Sequence, residues 1–100
     1  HPALAPYKVT ILPLIKKAHA DKANDVYALL CKYFDCQYDE SGSIGKRYRR
    51  SDAIGTPFAI TIDNETLEND TVTLRDRDTM EQITLKVDEL VDFISKKIEL

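Results

Sequence analysis

Lys8-Val9-Thr10-Ile11-Leu12-Pro13-Leu14 is a short apolar run with β-branched residues, and its reading decides the fold. A strand with one wet face alternates apolar and polar side chains, whereas a strand buried on both faces need not. The run therefore predicts an interior strand closed by Pro13. After it, Ala23, Val26, Leu29, Leu30 and Tyr33 recur at helical spacing, which predicts a helix from about Asp21 to Phe34 with Asp21 as its N-cap. Cys36 to Tyr38 is short enough for a second strand, followed by a turn over Asp39-Glu40-Ser41-Gly42.

Ile44 to about Ala53 reads as a second helix, stopped by Gly55-Thr56-Pro57. Phe58 to Asp63 and Thr71 to Arg77 read as strands joined by a polar loop from Asn64 to Asp70, and Gln82 to Val87 reads as a fifth strand. Val87, Leu90, Val91, Ile94 and Ile98 form an amphipathic stripe, a last helix capped near Asp88. The expected architecture is α/β: a mixed five-stranded sheet with three helices, in one domain spanning residues 1–100.

Composition narrows the function. With 43% hydrophobic and 31% charged residues, the 100-residue chain is an ordinary folded domain with one core. No apolar run approaches the ~20 residues of a membrane helix, and His1 to Pro6 lacks the basic and apolar regions of a signal peptide, so the expectation is no membrane and a cytoplasmic location. Cys31 and Cys36 have no second pair and fit neither a zinc site nor a redox motif; both are expected to be reduced core residues. His1 and His19 lie far from each other and from the arginines, so no metal or catalytic role is assigned to them.

Every one of the five arginines falls between positions 47 and 77, in Gly45-Lys46-Arg47-Tyr48-Arg49-Arg50 and Leu74-Arg75-Asp76-Arg77-Asp78. A guanidinium is a planar fork of donors that matches phosphates and base edges, which a lysine does not. The net charge of −3 argues against coating nucleic acid by bulk electrostatics and favours selective docking at a local patch. On a helix, Lys46 and Arg50 lie nearly in line with Arg47 and Arg49 flanking them, while Ile44 and Tyr48 point the other way. On a strand, Thr73, Arg75 and Arg77 share one face and Val72 and Leu74 the other.

Each feature has a plainer alternative. The basic helix could be a solvated face, Arg75 and Arg77 could form an ion-pair ladder with acids such as Glu65 or Glu81, and Tyr48 could pack rather than stack on a base. Thr61, Asp63 and Asn64 could simply enter a turn. Asp76 and Asp78 alternate with the arginines and are expected to hold them or nearby backbone in place. No nucleophile, phosphate loop or metalloprotease motif is present, so the chain alone is expected to catalyse nothing.

Leu4 to Lys8 with Ile11 to Leu14, the long stretch Ser41 to Phe58, and Thr71 to Gln82 closely resemble the C-terminal anticodon-binding domain of the dimeric class II glycyl-tRNA synthetases. The resemblance spans nearly the whole chain and is weakest between Ile15 and Lys32. It implies a domain that reads the anticodon loop of glycine tRNA, whose second and third letters are cytosine, as part of a glycine-tRNA ligase. The family's anticodon contacts would fall near Lys46, Thr61, Asn64 and Arg77, with Arg75 either a second reader beside Arg77 or its neighbour in an ion-paired ladder; on physical grounds the cations of the basic helix, Lys46, Arg47, Arg49 and Arg50, would meet the tRNA backbone. ATP and magnesium would belong to a catalytic domain outside this chain, as would the dimer contact, leaving this domain a monomer with no cofactor. The alternative is a synthetase-derived accessory or regulatory module that uses the same fold to bind protein or RNA.

Overall fold

The first strand, β1 (Val9–Pro13), is buried along its whole length, as its composition dictates. The structure, a computed structural model, describes residues 7–40, 43–53 and 55–98. His1, Ser41 and Gly42 lie outside them, and so do the side chains of Ile44 and Ile98. With β2 (Cys36–Tyr38), β3 (Phe58–Ile62), β4 (Thr71–Asp76) and β5 (Gln82–Lys86), β1 forms a five-stranded sheet in the order β2-β1-β3-β4-β5. β1 runs parallel to β2 and β3, while β4 is antiparallel to β3 and β5 to β4. The mixed sheet is the one the sequence predicts.

Register assigns the two faces. Val9 lies opposite Phe58, Ile11 opposite Ile60, and Ile60 opposite Leu74. Because side chains alternate, these residues share a face with Ile62 and Val72. Helix α1 (Lys16–Cys31) packs there through Ala23, Val26 and Leu30, and the C-terminal helix α4 (Leu90–Ile98) through Leu90 and Ile94, all of them buried. The second face carries Thr10, Leu12, Ala59, Thr61, Thr73, Arg75 and Thr84. Helix α2 (Ile44–Ala53) lies on it.

Three expectations are corrected. Helix α1 starts at Lys16 rather than near Asp21, and its N-cap position, Ile15, supplies no side-chain cap. The Ile15 N–H instead donates to Nδ1 of His19, at 2.9 Å, so a ring one turn into the helix satisfies the N-cap N–H, the group that the Glu or Gln of a capping box would take. The helix ends at Cys31, and Tyr33, expected on the apolar stripe, is 60% exposed.

The loop from Asn64 to Asp70 is a helix, α3 (Asn64–Asn69), which makes four α-helices among the described residues where three were expected. Asp63 accepts from the Thr66 N–H at 3.3 Å while the Thr66 hydroxyl accepts from the Asp63 N–H at 3.1 Å, a reciprocal cap that starts a helix even on polar residues. The last helix is preceded by a 3₁₀ turn, Val87–Glu89, where the Lys86 N–H donates to the Glu89 carboxylate at 3.1 Å.

The cysteines differ from each other. Cys36 is buried, as expected, but Cys31 is exposed and is not a core residue. Burial, followed by the neighbouring Cys31, pushes the Cys36 thiol up to about 12, so at neutral pH it stays protonated. A thiol reagent should therefore label Cys31 in the native protein and Cys36 only on unfolding; equal labelling of both in native buffer would contradict this burial. Ile60, with no exposed surface at the centre of the core, should cost roughly 2–5 kcal/mol when truncated to alanine, read from urea unfolding.

Candidate nucleic-acid interface

Helix α2 meets the sheet through polar side chains. The Ser51 hydroxyl lies 3.2 Å from that of Thr10, the Tyr48 hydroxyl bonds that of Thr61, and Arg47 donates through Nη1 to the Pro13 carbonyl. Ser51 over Thr10 and Arg47 over Pro13 make the helix antiparallel to β1. Its first turn, with Lys46, therefore lies at the C-terminal ends of the parallel strands.

At about 100° per residue, positions 47, 48 and 51 occupy one arc and 46, 49, 50 and 53 the other. The first arc faces the sheet; Lys46, Arg49, Arg50 and Ala53 are exposed. This corrects the expected placement of Arg47 on the open cationic face. It is 5% exposed, and its guanidinium satisfies backbone at the end of β1. A buried guanidinium needs hydrogen-bond partners, and the Pro13 carbonyl supplies one.

Arg50 is exposed yet ion-paired. Its Nε and Nη2 reach the two oxygens of Asp39 at 3.0 and 2.9 Å, a bidentate pair that ties α2 to the segment after β2. Lys46 and Arg49 complete the exposed line.

The second sheet face is covered unevenly. Thr10, Leu12, Ala59 and Thr61 are buried under α2, whereas Gln82, Thr84 and Lys86 on β5 are exposed and Thr73 on β4 is half-buried. Arg75 stands at the border. Its guanidinium lies 5.0 Å from the centre of the Tyr48 ring, and Nη2 is 3.3 Å from Sδ of Met80. Thr61 holds the ring, and the ring supports the guanidinium beside an open polar face. Glu65, one acid considered for a ladder with Arg75, lies in the first turn of α3 beyond the far end of β3.

Arg77 is one residue past the end of β4, not within it. Its N–H donates to the Pro57 carbonyl at 2.9 Å, and its exposed Nη1 is 3.7 Å from the Asp78 carboxylate. Asp76 holds backbone as expected: Oδ1 accepts from the N–H groups of Asp78 and Thr79 at 2.8 and 3.2 Å. Met80 closes that turn with a φ of 62°, and its N–H donates to the Asp76 carbonyl. Asn64 lies at the other end of β3, and its Oδ1 is 2.8 Å from Nε2 of His19.

Pro57 and Asn64 are seven positions apart, so at ~3.3 Å per extended residue Arg77 and Asn64 flank the site at roughly 20 Å from each other. The Arg75–Tyr48–Thr61 group lies between them. Two parts of this surface escape the sequence reading. The alternation Gln82-x-Thr84-x-Lys86, which extends the Thr73–Arg75 face across β5, signals a wet polar surface, and His19 gave no signal because nothing near it in sequence suggests its partner.

A family model described as an anticodon binding domain matches residues 8–97. The chain belongs to this family of anticodon-binding domains. A glycine–tRNA ligase of Clostridium tetani is 63% identical over 99 residues, and one of Bacillus cereus 58% over 99 residues; each match covers 99% of this chain and 21% of the relative. The chain thus spans about a fifth of the length of these relatives. Among solved structures, the prolyl-tRNA synthetase of Cryptosporidium parvum superposes with a TM-score of 0.88 at 25% identity, over 98% of this chain and 22% of that one. The RNA binding domain of the threonyl-tRNA synthetase from the same species gives 0.83 at 30% identity, over 91% and 23%.

The geometry separates structural from exposed arginines of this anticodon-binding domain. Arg47→Ala should destabilise the fold by about 1.5–3 kcal/mol, the worth of a charged hydrogen bond, in urea unfolding. Arg49→Ala should change stability by less than about 0.5 kcal/mol. Equal effects of the two substitutions would mean that the burial of Arg47 is energetically idle.

Proposed function

We propose that this chain is the anticodon-reading domain of a glycine-tRNA ligase, and that its partner is the anticodon loop of glycine tRNA. The observation that carries this reading is the half-open polar sheet face, bordered by a guanidinium on an aromatic ring and flanked at both ends of β3 by exposed hydrogen-bonding groups. The 63% identity to the C. tetani ligase supports glycine as the amino acid.

In this reading the unpaired loop bases lie on the open face and are read on their edges, as RNA loops generally are. Cytosine offers acceptors at O2 and N3, which suit the donors of Arg75, Arg77 and Lys46, and an N4 amino group that suits a hydroxyl of the open face; Thr61, expected to touch a base, is buried under α2 and acts through the Tyr48 ring. Lys46 also opens the exposed line with Arg49 and Arg50 that faces the phosphates; Arg47 maintains the helix that carries them. ATP and magnesium act in a catalytic part outside this chain, where the dimer contact also lies. The domain itself is a monomer without a cofactor, and it works in the cytoplasm.

The test is binding of the chain, at ~0.1 M salt, to glycine tRNA and to the same tRNA with its two anticodon cytosines changed. The native tRNA should bind more tightly. Arg77→Ala should remove about 1–3 kcal/mol of that preference, whereas Arg49→Ala should weaken both complexes alike and lower the salt slope by about 1. Equal affinity of wild type for the two tRNAs would remove base reading and favour an accessory module that binds protein or RNA through the same fold.

A further inference from the structure

His19 is fully buried, yet both of its ring nitrogens are engaged by polar groups. Nδ1 accepts from the Ile15 N–H at 2.9 Å, and a ring nitrogen that accepts carries no hydrogen. In the neutral ring the proton is therefore on Nε2, which lies 2.8 Å from Oδ1 of Asn64. The ring donates and the amide oxygen accepts.

An asparagine side chain ends in one oxygen and one amino group, so engaging one end inside decides which end faces out. Asn64 is exposed, and with its oxygen turned to His19 the end it offers is the amino group, a donor. Reversing the amide would set two donors against each other and strand a buried ring N–H, a state the fold strongly disfavours. The donor direction of the ring is in turn fixed by backbone, because the Ile15 N–H has no alternative polarity.

We propose that His19 is a positioning residue for RNA recognition: it locks the Asn64 amide with its amino group outward, so that this position takes a base edge that presents acceptors. Cytosine fits through N3, an acceptor; uracil keeps acceptors at O2 and O4 but carries hydrogen on N3, so at that atom it sets a donor against the amino group. The inference rests on the reading in which Asn64 touches the anticodon. It adds a residue that meets no RNA yet decides what the contact accepts.

The experiment uses the chain with an anticodon stem-loop bearing the two cytosines, and with the same RNA carrying uracil at each of them in turn. Wild type should prefer the cytosine loop. Asn64→Asp keeps an oxygen for His19 but has no donor to offer, and His19→Leu frees the amide to turn; each should lower the preference by about tenfold at one of the two positions. His19→Gln retains an amide donor toward Asn64 and should recover much of it. If folded His19→Leu or Asn64→Asp keeps the wild-type preference at both positions, the lock is disproved while base reading stands. If wild type itself shows no preference at either position, base reading and the lock fall together. Should His19→Leu fail to fold, the Asn64→Asp ratio decides, together with the nitrogen spectrum of the wild-type ring: a proton on Nδ1 in place of Nε2 would overturn the proposal.

Discussion

The described contacts of helix α2 with the sheet are polar bonds, and the rest of the site depends on them. A buried polar group needs its partner, so a helix docked through hydroxyl to hydroxyl at Thr10, hydroxyl to hydroxyl at Thr61, and guanidinium to carbonyl at Pro13 has one register. An apolar seam tolerates sliding far better, because its energy is non-directional. Fixing α2 in this way sets how much of the second sheet face it covers. It also sets the Tyr48 ring, and the ring sets Arg75.

Elements whose period is strong were legible in the sequence. The five strands and helices α2 and α4 fall within a few residues of where alternation, apolar run or stripe puts them. What was not legible are helices whose starts depend on something outside that pattern. The beginning of α1 hangs on His19, whose other ring nitrogen reaches Asn64, 45 positions away. Helix α3 has almost no apolar face; its start is local, the reciprocal bond of Asp63 and Thr66, and the Asp-x-x-Thr spacing could have revealed it had the segment not been read by its polarity alone.

The candidate site was legible in its residue types and less so in their roles. Arginine content marked the right two segments, but a charge pattern cannot say which member of a cationic helix turns inward. Arg47 goes inside because it shares an arc with Tyr48 and Ser51, a fact of phase that Ile44 and Tyr48 alone did not settle. Arg75 and Arg77 were expected to project together from one strand end. They part because β4 stops at Asp76, whose carboxylate starts the turn, leaving Arg75 on the sheet against Tyr48 and Arg77 beyond it.

That parting bears on how a partner can be read. Donors gathered at one point suit a single bidentate contact, whereas here they are strung along β3, with Arg77 at one end, Arg75 over Tyr48 in the middle, and Asn64 at the other. Each is oriented by a different device: a turn shaped by Asp76, a ring held by Thr61, and an amide turned by His19. Asn64 shares no side chain with the other two, so its effect on recognition should be close to additive with theirs, whereas Arg75 and Arg77 both lean on the turn from Asp76 to Met80 and should couple. Such a row suits several unstacked bases in succession, the form an opened RNA loop takes and a regular duplex does not. It also reconciles the net charge of −3 with nucleic-acid binding, because a short strand needs only a local line of cations, and the exposed Lys46, Arg49 and Arg50 supply one beside the row.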